Sequence, residues 1–188
     1  VRVTREVLGE LPRLKYIGEL ATGYNNIDLE AARERGIVVC NIPAYSTDSV
    51  AQHVFALLLN VATRADHYAR AVRQGEWSRQ RDFCYWDTPL IELAGKTIGI
   101  VGFGHIGQLF AQRLAAFETT IIAYDPYANP ARAAQLGVEL VTLDELMSRA
   151  DFVTIHLPKT KETAGMFDAD MLAKAKKGQI IINAARGG

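Results

Sequence analysis

Ile98-Gly99-Ile100-Val101-Gly102-Phe103-Gly104-His105-Ile106-Gly107 is the stretch from which the rest of the chain can be read. An apolar run over 97–101 stops at Gly102, Gly104 and Gly107, which occupy the G-x-G-x-x-G places, and Leu109, Phe110 and Leu114 follow at helical spacing. That order is strand, tight turn, helix. The first glycine permits the turn, the second lets the backbone approach a pyrophosphate, and the third lets helix and strand pack closely. The phosphates then meet free N–H groups at the positive end of the helix dipole. Glycine turns recur in proteins, so context matters. A second apolar run over 120–124 ends at Asp125, 125 − 102 = 23 positions past the first glycine, close to the roughly 20 expected for the carboxylate that binds the adenosine ribose. With no arginine beside it, that carboxylate would repel a 2′-phosphate, so the pattern predicts NAD rather than NADP.

Composition narrows the class. At 188 residues and 49% apolar content the chain holds one complete domain and a remnant. Lys+Arg and Asp+Glu are equal at 21 each, which leaves no net field to draw the chain to nucleic acid or an anionic membrane. A small ligand is expected instead. Cys40 and Cys84 lie far apart without C-x-x-C spacing or clustered histidines, which argues against a disulfide framework or a metal site. The longest apolar run, 54–59, is too short to span a bilayer, and the polar start has no signal-peptide layout. The expectation is a cytoplasmic protein with reduced thiols. Both ends read as cut, since Val1 is no initiator methionine and the chain stops just after an apolar strand.

Taken in order, residues 14–20 read as a strand, 21–28 as a turn-rich loop, 29–35 as a helix capped by Asp28 and ended by Gly36, and 37–40 as a second strand. Pro43 marks the boundary between residues 1–46 and 47–188. A single long helix, capped by Thr47 or Asp48, is predicted to run to about Gln74, with Val50, Val54, Leu57, Leu58, Val61, Ala65 and Tyr68 at helical spacing. His53 and His67 on it are read as packed or solvated. Trp77, Phe83, Tyr85 and Trp86 then break the pattern among charges, as residues that bury against their own domain or a second subunit do; a homodimer is the expectation. Further on come a helix opened by Asn129-Pro130, a strand over 138–141, a Thr142/Glu145 capping box, a helix to 150 and a strand over 152–155. His156-Leu157-Pro158 follows, then a helix capped by Asp168 and closed by Gly178, and a strand over 179–182. Strands apolar on both faces that alternate with helices call for a doubly wound parallel sheet, the Rossmann arrangement, with ligands at the strands' carboxyl ends.

Five motifs add specificity: Ala21-Thr22-Gly23-Tyr24-Asn25 with Asp28; Asn41-Ile42-Pro43 through Ser49-Val50-Ala51; Leu93-Ala94-Gly95-Lys96-Thr97; His156-Leu157-Pro158 with Thr163; and Asn183-Ala184-Ala185-Arg186-Gly187. On these the chain resembles the D-isomer-specific 2-hydroxyacid dehydrogenases over essentially its whole length, and Phe83-Cys84-Tyr85-Trp86 looks most like the glycerate dehydrogenase (hydroxypyruvate reductase) branch. The resemblance implies that residues 1–46 are part of a smaller flavodoxin-like α/β substrate domain and 47–188 an NAD-binding domain. It implies that His105 and Ile106 lie over the pyrophosphate, Asp125 on the ribose, and Leu157 and Pro158 on the adenine side, with Thr163 near the nicotinamide ribose or phosphates. It places Ala184 and Arg186 beside nicotinamide and substrate, with Arg186 catalytic, Thr47 closing the cofactor site and Thr22-Gly23 on the substrate carboxylate. The implied reaction is hydride transfer between NADH and a small 2-keto acid, hydroxypyruvate or glyoxylate. The alternative is a dinucleotide sensor of the kind found in the corepressors that resemble this family.

Two departures stand out. Glu118 replaces the glycine that usually ends the glycine-loop helix, so that terminus must find another cap. The family's orienting glutamate and acid histidine fall after Gly188, and none of His53, His67, His105 or His156 matches that histidine's motif. Residues 1–188 alone are therefore expected to bind dinucleotide without appreciable turnover, His156 being the first suspect should turnover be seen.

Overall fold

The computed structural model describes residues 2–186 and divides between Thr47 and Asp48 into two compact units. The smaller unit contains α1 (Arg5–Gly9), β1 (Tyr16–Gly18), α2 (Leu29–Glu34) and β2 (Val38–Cys40). β1 and β2 pair in parallel, Tyr16 against Val38, over a core of Leu8, Ala31, Ala32 and Ile37. Asp28 caps α2 by accepting from the Ala31 N–H at 2.9 Å, and Gly36 takes the left-handed turn (φ +66°) that ends it. α1 is too short to show a helical period, with Leu8 its one buried residue, and has no counterpart in the sequence reading. Both strands are shorter than the apolar runs that predict them, because a two-stranded ladder pairs only three residues of each.

The larger unit follows the rest of the chain, through α3 (Thr47–Thr63, of which Thr47 itself is counted with the smaller unit), α4 (Ala65–Arg73), β3 (Thr97–Val101), α5 (His105–Leu114), β4 (Thr120–Tyr124), α6 (Pro130–Gln135), β5 (Glu139–Leu140), α7 (Leu143–Arg149), β6 (Phe152–Ile155), α8 (Ala169–Ala173) and β7 (Ile180–Asn183). Its sheet is parallel throughout, in the order β5-β4-β3-β6-β7. The chain steps outward from β3 to β5, then returns to the other side of β3, which makes a switch point beside β3. Ile98 and Ile100 pack on one face with Val54, Leu58, Phe110 and Leu114; Val101 packs on the other with Leu146, Met147, Ala150 and Val153. Gly99 has no side chain because α7 lies so close that a Cβ would sit 2.6 Å from Leu146 Cδ2. The Thr142/Glu145 capping box forms as read.

The helix predicted over 47–74 is two helices. Arg64 adopts a left-handed conformation (φ 55°, ψ 35°) between α3 and α4. The Asn60 side chain reaches past the break to accept from the Asp66 N–H at 3.0 Å, and the Ala62 carbonyl at the end of α3 accepts from the Ile91 N–H at 2.9 Å. These contacts satisfy the broken ends, while the apolar period carries across a single residue. Thr47 is the first residue of α3 rather than its cap, its hydroxyl donating to the Ala44 carbonyl (3.1 Å), and Asp48 pairs with Arg113. α8 stops at Ala173, before Gly178, whose φ of +82° turns the chain into β7.

Glu118 ends the turn after α5 in a left-handed conformation (φ 55°, ψ 35°), and its carbonyl accepts from the Gly95 N–H. A side chain there costs about 1–2 kcal/mol, partly offset by the smaller unfolded-state entropy of glutamate relative to glycine. Glu118→Gly is therefore expected to stabilise the protein by about 0.5–1 kcal/mol in urea unfolding; an unchanged or lower midpoint would contradict it.

Candidate functional site

Since β3, β4, β6 and β7 are parallel neighbours, the segments that follow them open along one edge of the sheet. These are the glycine turn, Asp125, His156-Leu157-Pro158 and Asn183-Ala184-Ala185-Arg186. Gly102 is left-handed (φ +94°), donates its N–H to the Tyr124 carbonyl at 2.9 Å, and would put a Cβ 3.0 Å from the backbone of His156 and Leu157. Gly107, in the first turn of α5, would put one 2.3 Å from the Gly102 carbonyl oxygen. The chain's own packing requires both glycines. Gly104 differs, because it precedes α5 in extended backbone and a Cβ there meets nothing within 4 Å. Open space at the N-terminus of a ten-residue helix that no side chain caps is a cradle fitted to an anion approached by backbone, as a pyrophosphate is. His105, exposed, and Ile106, half-buried, are the first residues of that helix.

Asp125 stands beside the turn. Its Oδ2 accepts from the Phe103 N–H and its Oδ1 from the Tyr127 N–H, each at 2.8 Å. On the other side of β3, Leu157, Pro158, Thr163 and Arg186 meet around a cavity of about 150 Å³ that Lys159, Met166 and Phe167 also line. The Thr163 hydroxyl donates to the Pro158 carbonyl at 2.6 Å and accepts from the Thr160 N–H at 2.8 Å, so it also clasps its own loop. Ala184 donates its N–H to the Ile155 carbonyl. Asn183 accepts from the Ala185 N–H at 2.9 Å and donates from Nδ2 to the Arg186 carbonyl, an Asx turn that presents the exposed Arg186. Gly187, the last residue of that motif, lies outside the described residues.

His156 departs from the expectation that made it a possible proton donor. Its Nε2 lies 3.2 Å from Thr154 Oγ1, its Nδ1 is buried without a partner, and its ring packs 6.0 Å from that of Phe110. Burial pushes its pKa down to about 4, so the imidazole is neutral near pH 7 and is no acid there.

Thr22, Gly23 and Thr47 belong to the smaller unit. Thr22 donates from its hydroxyl to the Ile42 carbonyl at 3.1 Å, and its own carbonyl accepts from Asn41 Nδ2, which fixes the loop after β1 to the segment after β2. Sequence reasoning missed Lys159, Met166 and Phe167, for which a polar loop gives no signal. It could have found the Asn183 turn, because Asn followed by small residues after an apolar strand is an Asx-turn pattern.

Residues 55–188 match the family model of the D-isomer specific 2-hydroxyacid dehydrogenase, NAD binding domain. The chain belongs to this family. It is 49% identical over 186 residues to a D-3-phosphoglycerate dehydrogenase of Mycobacterium tuberculosis, covering 99% of this chain and 34% of that protein. It is 44% identical over 183 residues to a hydroxypyruvate reductase of Blautia hydrogenotrophica, covering 97% of this chain and 56% of that one. Among solved structures it matches D-lactate dehydrogenase from Aquifex aeolicus, complexed with NAD and lactic acid, with a TM-score of 0.85 and 34% identity, over 99% of this chain and 54% of that one. The chain thus spans about a third to just over half the length of these relatives. NAD is the cofactor of this dehydrogenase domain. The resemblance to the glycerate dehydrogenase branch is narrower than the relatives support, since the phosphoglycerate dehydrogenase of Mycobacterium tuberculosis shares more of its sequence than the hydroxypyruvate reductase does, 49% against 44%.

Proposed function

We propose that the protein containing this chain interconverts a small 2-keto acid and its D-2-hydroxy acid, with a glycerate-type three-carbon acid as substrate. The names of the relatives support the carbon skeleton, since phosphoglycerate and hydroxypyruvate share it. The observation that carries the reading is the open cradle at Gly104 next to the Asp125 carboxylate. NADH, when bound, supplies the hydride. Gly104 and the first N–H groups of α5 would hold its pyrophosphate, Asp125 the adenosine ribose hydroxyls, and Leu157, Pro158, Thr163 and Ala184 the remaining faces. Thr47 would close over the cofactor, and Thr22-Gly23 would donate backbone N–H groups to the substrate carboxylate. Arg186 would grip the keto acid and polarise its carbonyl with a fixed positive fork. Residues 1–46 act in this reading as part of a substrate domain.

Titration of the protein with NADH and NADPH tests the cofactor assignment: NADH is expected to bind at least about tenfold more tightly, because the negative Asp125 carboxylate would face a 2′-phosphate. Equal or tighter NADPH binding would overturn it. Arg186→Gln should lower kcat/KM for hydroxypyruvate and 3-phosphohydroxypyruvate by about 10²–10³-fold with NADH affinity nearly unchanged. A variant that keeps full turnover would remove Arg186 from the chemistry.

We also infer a homodimer. Phe83 is 95% exposed and Trp86 66% exposed, while Trp77 and Tyr85 are held edge to face and the Trp77 indole donates to the Phe83 carbonyl. Aromatics presented from an ordered loop suit a subunit contact. Light scattering at micromolar concentration is expected to give a dimer that Trp86→Ala weakens; a monomeric parent protein would refute this.

A further inference from the structure

We propose that Asp125 is a positioning residue for the pyrophosphate-binding turn, in addition to being a ribose acceptor; the proposal rests on the dinucleotide reading of this site. The end of β4 holds two successive N–H groups of the turn. The Gly102 N–H donates to the Tyr124 carbonyl at 2.9 Å, and the Phe103 N–H donates to Asp125 Oδ2 at 2.8 Å. The carboxylate is itself fixed, because its other oxygen accepts from the Tyr127 N–H at 2.8 Å. Phe103 is 2% exposed, so its N–H would have no water to turn to if the carboxylate were removed. Gly102 is left-handed at φ +94° and Gly104 makes no packing contact at its Cβ position, so neither glycine restrains the turn through a side chain. It is held by the buried Phe103 ring, by Gln108 Nε2, which donates to the Phe103 carbonyl at 2.9 Å, and by the pair of bonds to the end of β4, one of them charge-assisted. Gly104 and the first N–H groups of α5 follow directly, and they keep their aim at a diphosphate through this bond. A substitution at Asp125 meant to admit a 2′-phosphate would then also loosen the grip on the diphosphate.

The sign of one binding change separates the two roles. 2′,3′-Dideoxyadenosine diphosphate has no ribose hydroxyls for Asp125 to bind, yet keeps the diphosphate. If Asp125 served the ribose alone, Asp125→Ala would bind this ligand as well as the parent protein or better, since a carboxylate near two phosphates has gone. Positioning predicts the opposite, a weakening of about five- to tenfold by calorimetric titration, the effect expected of one orphaned N–H. Asp125→Asn should recover most of that loss, because its amide oxygen can accept from Phe103 while the Tyr127 bond is given up. Equal or tighter binding by Asp125→Ala, with weakening confined to ADP itself, would overturn the proposal. A parent protein that binds neither ADP nor the dideoxy ligand would instead overturn the dinucleotide reading on which it rests. Hydrogen exchange on the unliganded parent protein needs no variant: the Phe103 amide is expected to be protected, and free exchange there would refute the anchor.

Discussion

Gly107→Ala is expected to cost the protein about 4 kcal/mol or more, with a fall of roughly 10 °C in Tm and loss of dinucleotide binding. The added Cβ would lie 2.3 Å from the Gly102 carbonyl oxygen and 3.1 Å from Ile100 Cγ2. Backbone faces backbone in the closer contact, so no rotamer change relieves it. Either α5 lifts from β3, which pulls Phe110 and Leu114 out of the core, or the glycine turn deforms. Gly104→Ala, three residues earlier, should behave oppositely. Its Cβ enters open space at φ −75°, so stability should hold within about 0.5 kcal/mol while dinucleotide affinity falls tenfold or more. Thermal melts and NADH titrations of the two variants check both halves. A Gly107→Ala protein with an unchanged midpoint would show that helix and strand are not in this contact.

The second large effect concerns acid. His156 titrates near its ordinary 6.5 in the unfolded chain and at about 4 in the folded one, because burial disfavours its charged form. Between pH 6.5 and 4 the unfolded chain therefore binds a proton that the folded chain does not, and stability falls as the pH drops through that window. The shift corresponds to about 3 kcal/mol in all. Above pH 6.5 neither state carries the proton and below pH 4 both do, so the contribution is flat outside the window. His156→Gln should remove this slope, so that its urea midpoint falls less steeply than the parent's between pH 6.5 and 4. Parallel curves for the two proteins across that window would contradict a buried neutral imidazole.

The sequence and the structure agree best where physics leaves few choices. The runs over 97–101, 120–124 and 152–155 coincide with β3, β4 and β6, since strands buried on both faces are unbroken apolar runs stopped by residues that end them. Asp28, Thr142 and Asp168 were legible as caps because capping is local chemistry. The break at Arg64 was not, as arginine carries no turn signature and the bond that stabilises it comes from Asn60. At the site, Gly102, Gly104, Gly107 and Asp125 could be named from spacing, but the bond from Phe103 to Asp125 links residues that only β3–β4 pairing brings together. The neutrality of His156 likewise depends on the burial of its ring, a tertiary property.

The route of the chain through its sheet also sets an order for assembly in time. Pairing Thr97 with Thr120 closes a short loop, whereas pairing Ile98 with Phe152 closes a far longer one, after an excursion through β5 and α7. Closing the longer loop costs more entropy before any contact repays it, so β3–β4 pairing is expected to precede the docking of β6. The glycine turn and Asp125 would then mature together, ahead of the segments that carry Leu157 and Arg186. In stopped-flow refolding, ADP should engage an early species that has gained the adenosine half of the cleft and still lacks the half that bears the arginine.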